Sequence, residues 1–143
     1  MNLSKHTINF TVFGEPVAKA RARVFRNKYS GKIMAYTPEK THNAENDFKS
    51  QSLPHKPKEP IMTPIWLNIN VFRGIPASFS PIKKGVAQSG QLLPTTRPDI
   101  DNYAKLVMDS MNGLFWKDDR QIVSLTINKY YSDNPRIEVG VMW

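Results

Sequence analysis

The sequence predicts an α+β fold: one mixed, largely antiparallel sheet with two main helices packed on it, in a single domain spanning residues 1–143. Three observations lead there. Four segments read as strands, most of them with apolar and polar residues alternating at a period of two. Two longer segments open with helix-start signals, and one of them carries apolar residues at helical spacing. The chain has 143 residues, 40% of them hydrophobic, which suits one core of ordinary size, and it has no cysteine to staple a smaller one.

Residues 6–13 give the first strand, with Ile8, Phe10 and Val12 on one face and Thr7, Asn9 and Thr11 on the other. Val17 to Tyr36 predicts a basic hairpin turning near Ser30-Gly31. Thr37-Pro38-Glu39 then starts a helix, with Thr37 as N-cap, proline at the first helical position and an acid near the positive helix end. That helix reaches about Leu53 and stops before the proline-rich connection PHKPKEP. Ile65 to Arg73 is a strand rich in Ile, Trp, Val and Phe. Residues 76–96 mix proline, serine, glycine and the pair Lys83-Lys84 without any period, and predict a mobile loop.

The second helix is expected from about Asn102 to Asn112, with Tyr103, Leu106, Val107 and Met111 as its apolar stripe and Gly113 ending it. Gln121 to Tyr131 is a strand carrying Val123, Leu125, Ile127 and Tyr131 on one face. Ser132-Asp133-Asn134-Pro135 turns the chain, and Ile137, Val139 and Val141 make the last strand.

Net charge is +8 and unevenly spread. Residues 1–96 hold 14 Lys+Arg against 5 Asp+Glu, whereas residues 97–143 hold 6 against 7. A basic body with a local acidic cluster implies a polyanionic partner and a cation site. The start MNLSKHTINF has no apolar run long enough for a signal peptide, and no stretch approaches the roughly 18 apolar residues of a membrane helix, so a soluble cytoplasmic protein without membrane contact is expected. His6, His42 and His55 lack zinc-motif spacing, and neither a cysteine nucleophile, a G-x-S-x-G nor a phosphate-binding glycine loop is present. These absences argue against zinc, acyl-transfer and nucleotide-cofactor chemistry.

The acidic cluster begins at RPDIDN. On an extended chain Asp99 and Asp101 share a face, with Cα atoms roughly 6.6 Å apart, and can aim at one point. WKDDR adds Asp118 and Asp119, expected to return to the same end of the sheet. Clustered carboxylates repel one another unless a cation neutralises them, and Mg²⁺ takes oxygen ligands from a few carboxylates plus waters and phosphate. Lys105 stands four residues after Asp101 and four before Asp109 on one helical face, placed either to balance the acids or to stabilise charge on a phosphate. The plainer alternatives are a helix N-cap for the D-x-D and a solvated salt-bridge stripe for Asp101, Lys105 and Asp109. Ahead of the cluster, Lys19, Arg21 and Arg23 alternate, and Arg26, Lys28 and Lys32 follow, interleaved with Phe25, Tyr29 and Tyr36. Such an arm suits phosphate contact, or else a charged edge strand protected from aggregation.

RPDIDNYAKLVMDSMNG followed by WKDDRQIV resembles the signature of the RusA family of Holliday junction resolvases. The shared pattern is D-x-D-N, a lysine four residues after the second Asp, a helix ending near Asn-Gly, and D-D before a strand. GEPVAKARARVF and AYTPEKT are similar to the family's basic amino-terminal region, and SFSPIKKG to its lysine-bearing loop. The resemblance implies a homodimeric, Mg²⁺-dependent endonuclease, with Mn²⁺ able to substitute, that nicks four-way DNA junctions symmetrically. It implies catalytic roles for Asp99, Asp101, Lys105 and Asp119. Asp99, Asp101 and Asp119 would be the metal ligands and Asp118 a less certain one, while Asp109 has no assigned role. DNA contacts are expected from Lys19, Arg21, Arg23, Arg26, Lys28, Lys83, Lys84 and Arg97. Phe79 and Trp116 are candidates either for a wedge at the junction or for packing. The rival readings are a nuclease for flaps or other branched DNA, and a non-catalytic DNA-binding protein of the same fold.

Overall fold

A computed structural model describes residues 6–20 and 22–143. In chain order its elements are β1 (Thr7–Phe13), β2 (Arg23–Arg26), β3 (Ile33–Tyr36), α1 (Glu39–Ser52), β4 (Ile65–Gly74), α2 (Pro81–Gln88), α3 (Ile100–Met111), β5 (Ile122–Ser132) and β6 (Arg136–Met142). Among the described residues the strands form a four-stranded sheet in the order β1-β6-β4-β5 and a separate ribbon of β2 and β3. β1–β6 and β6–β4 are antiparallel, and β4–β5 is parallel. The fold is therefore α+β with a mixed, largely antiparallel sheet, as the sequence predicts. The parallel pair follows from the connection: a chain returning to run alongside β4 must cross back first, and α3 provides that crossing.

Alternation sets the core. Phe10 and Val12 of β1, Ile65, Leu67, Ile69 and Val71 of β4, and Ile137, Val139 and Val141 of β6 are buried on one face. They meet Tyr103, Val107 and Met111 of α3, Phe48 of α1, and Phe115 and Trp116 of the following loop. Phe10 stacks on Phe115 with ring centroids 5.4 Å apart and meets Phe48 edge-on at 6.1 Å. Each such side chain contributes about 1.5–3 kcal/mol of burial, and truncating Ile69 to alanine would cost roughly 2–5 kcal/mol. The opposite face carries Asn9, Asn68, Asn70 and Asn128.

Three expectations need correction. Pro38, not Thr37, occupies the N-cap of α1, and no side chain caps that end. Residues 76–96 are not an aperiodic loop, because Pro81–Gln88 is helical: Ser80 Oγ accepts from the Lys83 N–H at 3.2 Å and Pro81 opens the helix. α3 begins at Ile100, so Asp101 is helical and the Asp99–Asp101 stretch is not extended. The one-face reading of β5 stands, and Val123 and Leu125 on that face are 60% and 42% exposed because the strand is the sheet's edge beyond β4.

Candidate active site

The local chemistry of residues 97–109 fixes three carboxylates and a lysine on one helix. Asp99 is the N-cap residue of α3, with φ −70° and ψ 152°, yet its side chain makes no capping bond. Asp101 lies in the first turn and is exposed. Among the described residues neither carboxylate has a hydrogen bond or ion pair, so the N-cap explanation of the D-x-D does not account for them. Lys105 follows one turn later with its side chain 61% exposed, and its Nζ donates to Asp109 Oδ1 at 3.1 Å.

Asp109 ties three segments together. It also accepts from Lys19 Nζ at 2.6 Å, and Lys19 donates to Glu45 of α1 at 3.0 Å. Burial pushes the Asp109 carboxyl up, but the hydrogen bonds and charges of Lys19 and Lys105 outweigh it and hold the group below its ordinary value. The Asp109 hydrogen bond holds the Lys19 ammonium above its own ordinary value, against partial burial and with further help from Glu45. Lys19, expected at phosphates, is thus committed to an internal ion-pair network. Sequence spacing places Lys105 beside Asp109 but gives no sign of Lys19, which lies 90 residues away.

Asp118 and Asp119 have different roles. Asp118 caps a short 3-10 turn at 119–121, its side chain accepting from the Arg120 N–H at 3.0 Å, while Gln121 returns a bond to the Asp118 N–H at 2.8 Å. Its carboxylate is used structurally. Asp119 accepts from the Trp116 indole N–H at 2.8 Å, and Trp116 is fully buried. Trp116 is therefore core packing that orients Asp119, not a wedge. Phe79 likewise packs edge-on against Tyr131 at 5.7 Å, with Lys83 Nζ 4.1 Å from its ring.

The two acidic groups do not share one end of the sheet. Near Asp99, Arg73 at the end of β4 donates to the Thr96 carbonyl at 3.1 Å, and Lys129 donates to the Pro98 carbonyl at 3.2 Å. Asp119 stands where β4 and β5 begin, as Gln121 donates to the Ile61 carbonyl at 2.8 Å and Ile65 is in register with Ile122. The 12 residues of α3 run between these ends, a helix roughly 18 Å long. Among the described residues no group of three or more His, Cys, Asp or Glu side chains is placed to hold a metal ion. One chain offers Asp99 and Asp101 in a single turn, with Asp119 apart. The donor chemistry nevertheless fits Mg²⁺: two unengaged carboxylates, with waters and a phosphate completing an octahedron, form a usual protein share.

Beside Asp99 opens a cavity of about 820 Å³ whose lining includes Glu15, Lys19, Arg23, Lys40, Arg73, Arg97, Asn102 and Tyr103. Burial pushes the Tyr103 hydroxyl up in pKa, with Glu15 adding to the shift and Arg73 opposing it. Four of the cations at this opening, Arg23, Lys40, Arg73 and Arg97, lead to the free carboxylate. Arg73 and Lys40 were not expected from the sequence; one lies in a strand and the other in a helix, with no motif around either. Arg26 and Lys28 are exposed on the hairpin, and Lys83 and Lys84 are exposed on α2. Arg21 lies outside the described residues. Among the described residues no helix is long and apolar enough to cross a membrane.

Comparison with known proteins adds an independent line. Residues 14–142 match the endodeoxyribonuclease RusA family. The Bacillus subtilis (strain 168) protein YqaN is 42% identical over 137 residues, covering 94% of each chain. A crossover junction endodeoxyribonuclease rusA of Lactococcus phage r1t is 33% identical over 115 residues, covering 80% of this chain and 81% of its own.

Proposed function

This chain belongs to the RusA family of endodeoxyribonucleases, and on that premise we propose that it is a Mg²⁺-dependent enzyme that resolves four-way DNA junctions by paired symmetric nicks in recombination and repair. The observation that carries the reading is the unengaged carboxylate of Asp99 in a cavity also lined by Arg23, Lys40, Arg73 and Arg97, with a second unengaged carboxylate, Asp101, in the same first helical turn. Cations bind and orient a phosphate backbone without reading its sequence. A free carboxylate among them, with a second in the same helical turn, would repel that backbone unless a cation intervened.

In this reading Asp99 and Asp101 hold Mg²⁺, and Mn²⁺ can take its place. The ion, when bound, supplies Lewis-acid polarisation of the scissile phosphate and a lowered pKa for an attacking water. Arg23, Arg73 and Arg97 hold the strand at the cavity. Lys105, kept in place by Asp109, presents a compact charge to the negative charge that develops in the transition state. Asp118 serves as the cap of its turn.

Asp119 enters through a second copy. In a two-fold dimer whose axis crosses the middle of α3, opposite ends of the two helices meet. Asp119 of the partner subunit then approaches Asp99 and Asp101. The free edge of β5, with Val123 and Leu125 exposed, offers an apolar surface for that association. The deciding experiment incubates the protein with labelled four-way junction, flap and linear duplex, with and without Mg²⁺. Paired nicks confined to the junction and dependent on Mg²⁺ are expected. Preferential cutting of the flap would reassign the substrate, and junction binding without any cutting would reassign the protein to DNA binding alone.

A further inference from the structure

The β2–β3 ribbon stands apart from the core. Its residue pairs Arg23–Tyr36, Val24–Ala35, Phe25–Met34 and Arg26–Ile33 are exposed at every position. Two strands alone are marginal in water, and solvent-facing apolar residues on them do nothing for the core. Yet Phe25, Tyr36 and Ile33 are 45%, 48% and 70% exposed. The tip is firmly built: Asn27 Oδ1 accepts from the N–H groups of Tyr29 and Ser30 at 2.8 and 3.1 Å, and the Asn27 N–H donates to the Lys32 carbonyl at 2.8 Å. Gly31 takes the positive φ of 69° that the turn requires. This leaves Tyr29 99% exposed at the tip.

Charge identifies the kind of partner. Residues 22–37 contain Arg23, Arg26, Lys28 and Lys32 and no acid. Cations interleaved with aromatic rings suit a polyanion with flat apolar faces. Duplex DNA hides its base faces by stacking, and they become available where the duplex is interrupted. Arg23, Phe25, Met34 and Tyr36 share one face of the ribbon, the Phe25 and Tyr36 rings meet edge-on at 5.9 Å, and Arg23 also lines the cavity beside Asp99. A ribbon merely protected by charge against edge pairing would have no use for these rings.

We propose that the ribbon is the branch sensor: Phe25, Tyr36 and Tyr29 stack on bases unstacked at a branch point, while Arg23, Arg26, Lys28 and Lys32 hold the flanking phosphates. This rests on the reading of the protein as a DNA nuclease and adds how a branch is told from plain duplex. The ribbon contacts the bases, and the carboxylates at α3 remain the cutting centre.

The test is a binding titration in Ca²⁺ with a four-way junction carrying 2-aminopurine at the branch point, beside a linear duplex of the same sequence. Cleavage in Mg²⁺ is measured separately. Phe25→Leu and Tyr36→Leu keep apolar bulk and remove the ring, Tyr29→Ala changes only the exposed tip, and Phe25→Tyr restores a ring. Each ring removed is expected to weaken junction binding by roughly 5- to 100-fold with duplex binding within twofold of the parent. The 2-aminopurine response should diminish in parallel, and Phe25→Tyr should behave as the parent. Unchanged junction affinity in Tyr29→Ala and both leucine variants overturns the proposal, as does an equal loss on junction and duplex. In either case Mg²⁺-dependent cutting by the parent leaves the nuclease reading standing. A parent that cuts nothing but shows the ring-dependent junction preference overturns the nuclease reading and keeps the sensor.

Discussion

Lys105 and Asp109 show how two charges four residues apart take different duties. Asp109 is the less exposed, at 19%, and is bonded by two lysines; Lys105 is 61% exposed and has one acid partner. A charge exposed beside free carboxylates is available to a phosphate. Lys105→Ala is expected to retain junction binding in Ca²⁺ while single-turnover cleavage in Mg²⁺ falls about 10²–10³-fold, the scale of losing one preorganised electrostatic donor. Lys105→Arg should also be impaired, since a planar guanidinium spreads the charge that an ammonium concentrates. Parental cleavage by the alanine variant would reduce Lys105 to charge balance. Asp109→Asn is expected to lower stability at neutral pH by about 1–2 kcal/mol, from hydrogen bonds to charged groups discounted for partial exposure. Because the folded-state pKa of Asp109 lies below its ordinary 3.8, its contribution is complete above that value and is lost as pH falls through the lowered one. Urea unfolding at a series of pH values should therefore show the gap between parent and variant closing below pH 3.8; a gap constant down to pH 2 would refute the assignment.

At the scale of elements, what the sequence revealed depends on how much each segment's pattern is set by the core. β1, β4 and β6 are legible because alternate residues, such as Ile65, Leu67, Ile69 and Val71, are buried against helices. The stripe of α3 is legible for the same reason. α2 was missed because its eight residues bury only Ala87, so no helical period stands out among the flanking prolines and glycines; Ser80-Pro81 was the one available signal. The face of β5 was assigned correctly, but its exposure depends on which strand lies at the edge, and tertiary order of that kind is not written locally. Similarly, the RPDIDN carboxylates were legible as a pair, whereas their distance from Asp119 depends on where α3 starts and ends. The basic segment divides as well: Lys19 is held by Glu45 and Asp109, while Arg23, Arg26 and Lys28 are exposed. Alanine at Arg23, Arg26 or Lys28 is expected to flatten the salt dependence of DNA binding by roughly one unit per lost phosphate contact. Lys19→Ala should leave the salt slope unchanged and reduce stability instead. A flattened slope for Lys19→Ala in a titration from low to moderate salt would place it at the DNA after all.

The whole molecule joins a basic amino-terminal two-thirds to an acidic remainder, and the function depends on how the acids are brought together. Within one chain α3 separates Asp99 and Asp101 from Asp119, so a three-carboxylate site is incomplete unless a second chain contributes. A complementation experiment distinguishes the two arrangements. Asp99→Asn and Asp119→Asn proteins, each purified alone, are expected to lose cleavage by orders of magnitude, since in the proposed dimer each would lack a metal-binding charge in both sites. In a mixed dimer built across the two-fold, one site combines both substitutions and the other has neither. Co-expressing the two variants should therefore restore cutting at one site per dimer, producing nicked junctions with few paired cuts. If each site lay within a single chain, every site of the mixed dimer would carry one substitution and mixing would restore nothing. A gel resolving nicked from fully resolved junction reads the outcome directly, with differently tagged chains co-purified so that only mixed dimers are assayed. Recovery of nicking in that fraction is the expected result, and its absence would mean that Asp119 of the partner subunit does not complete the site.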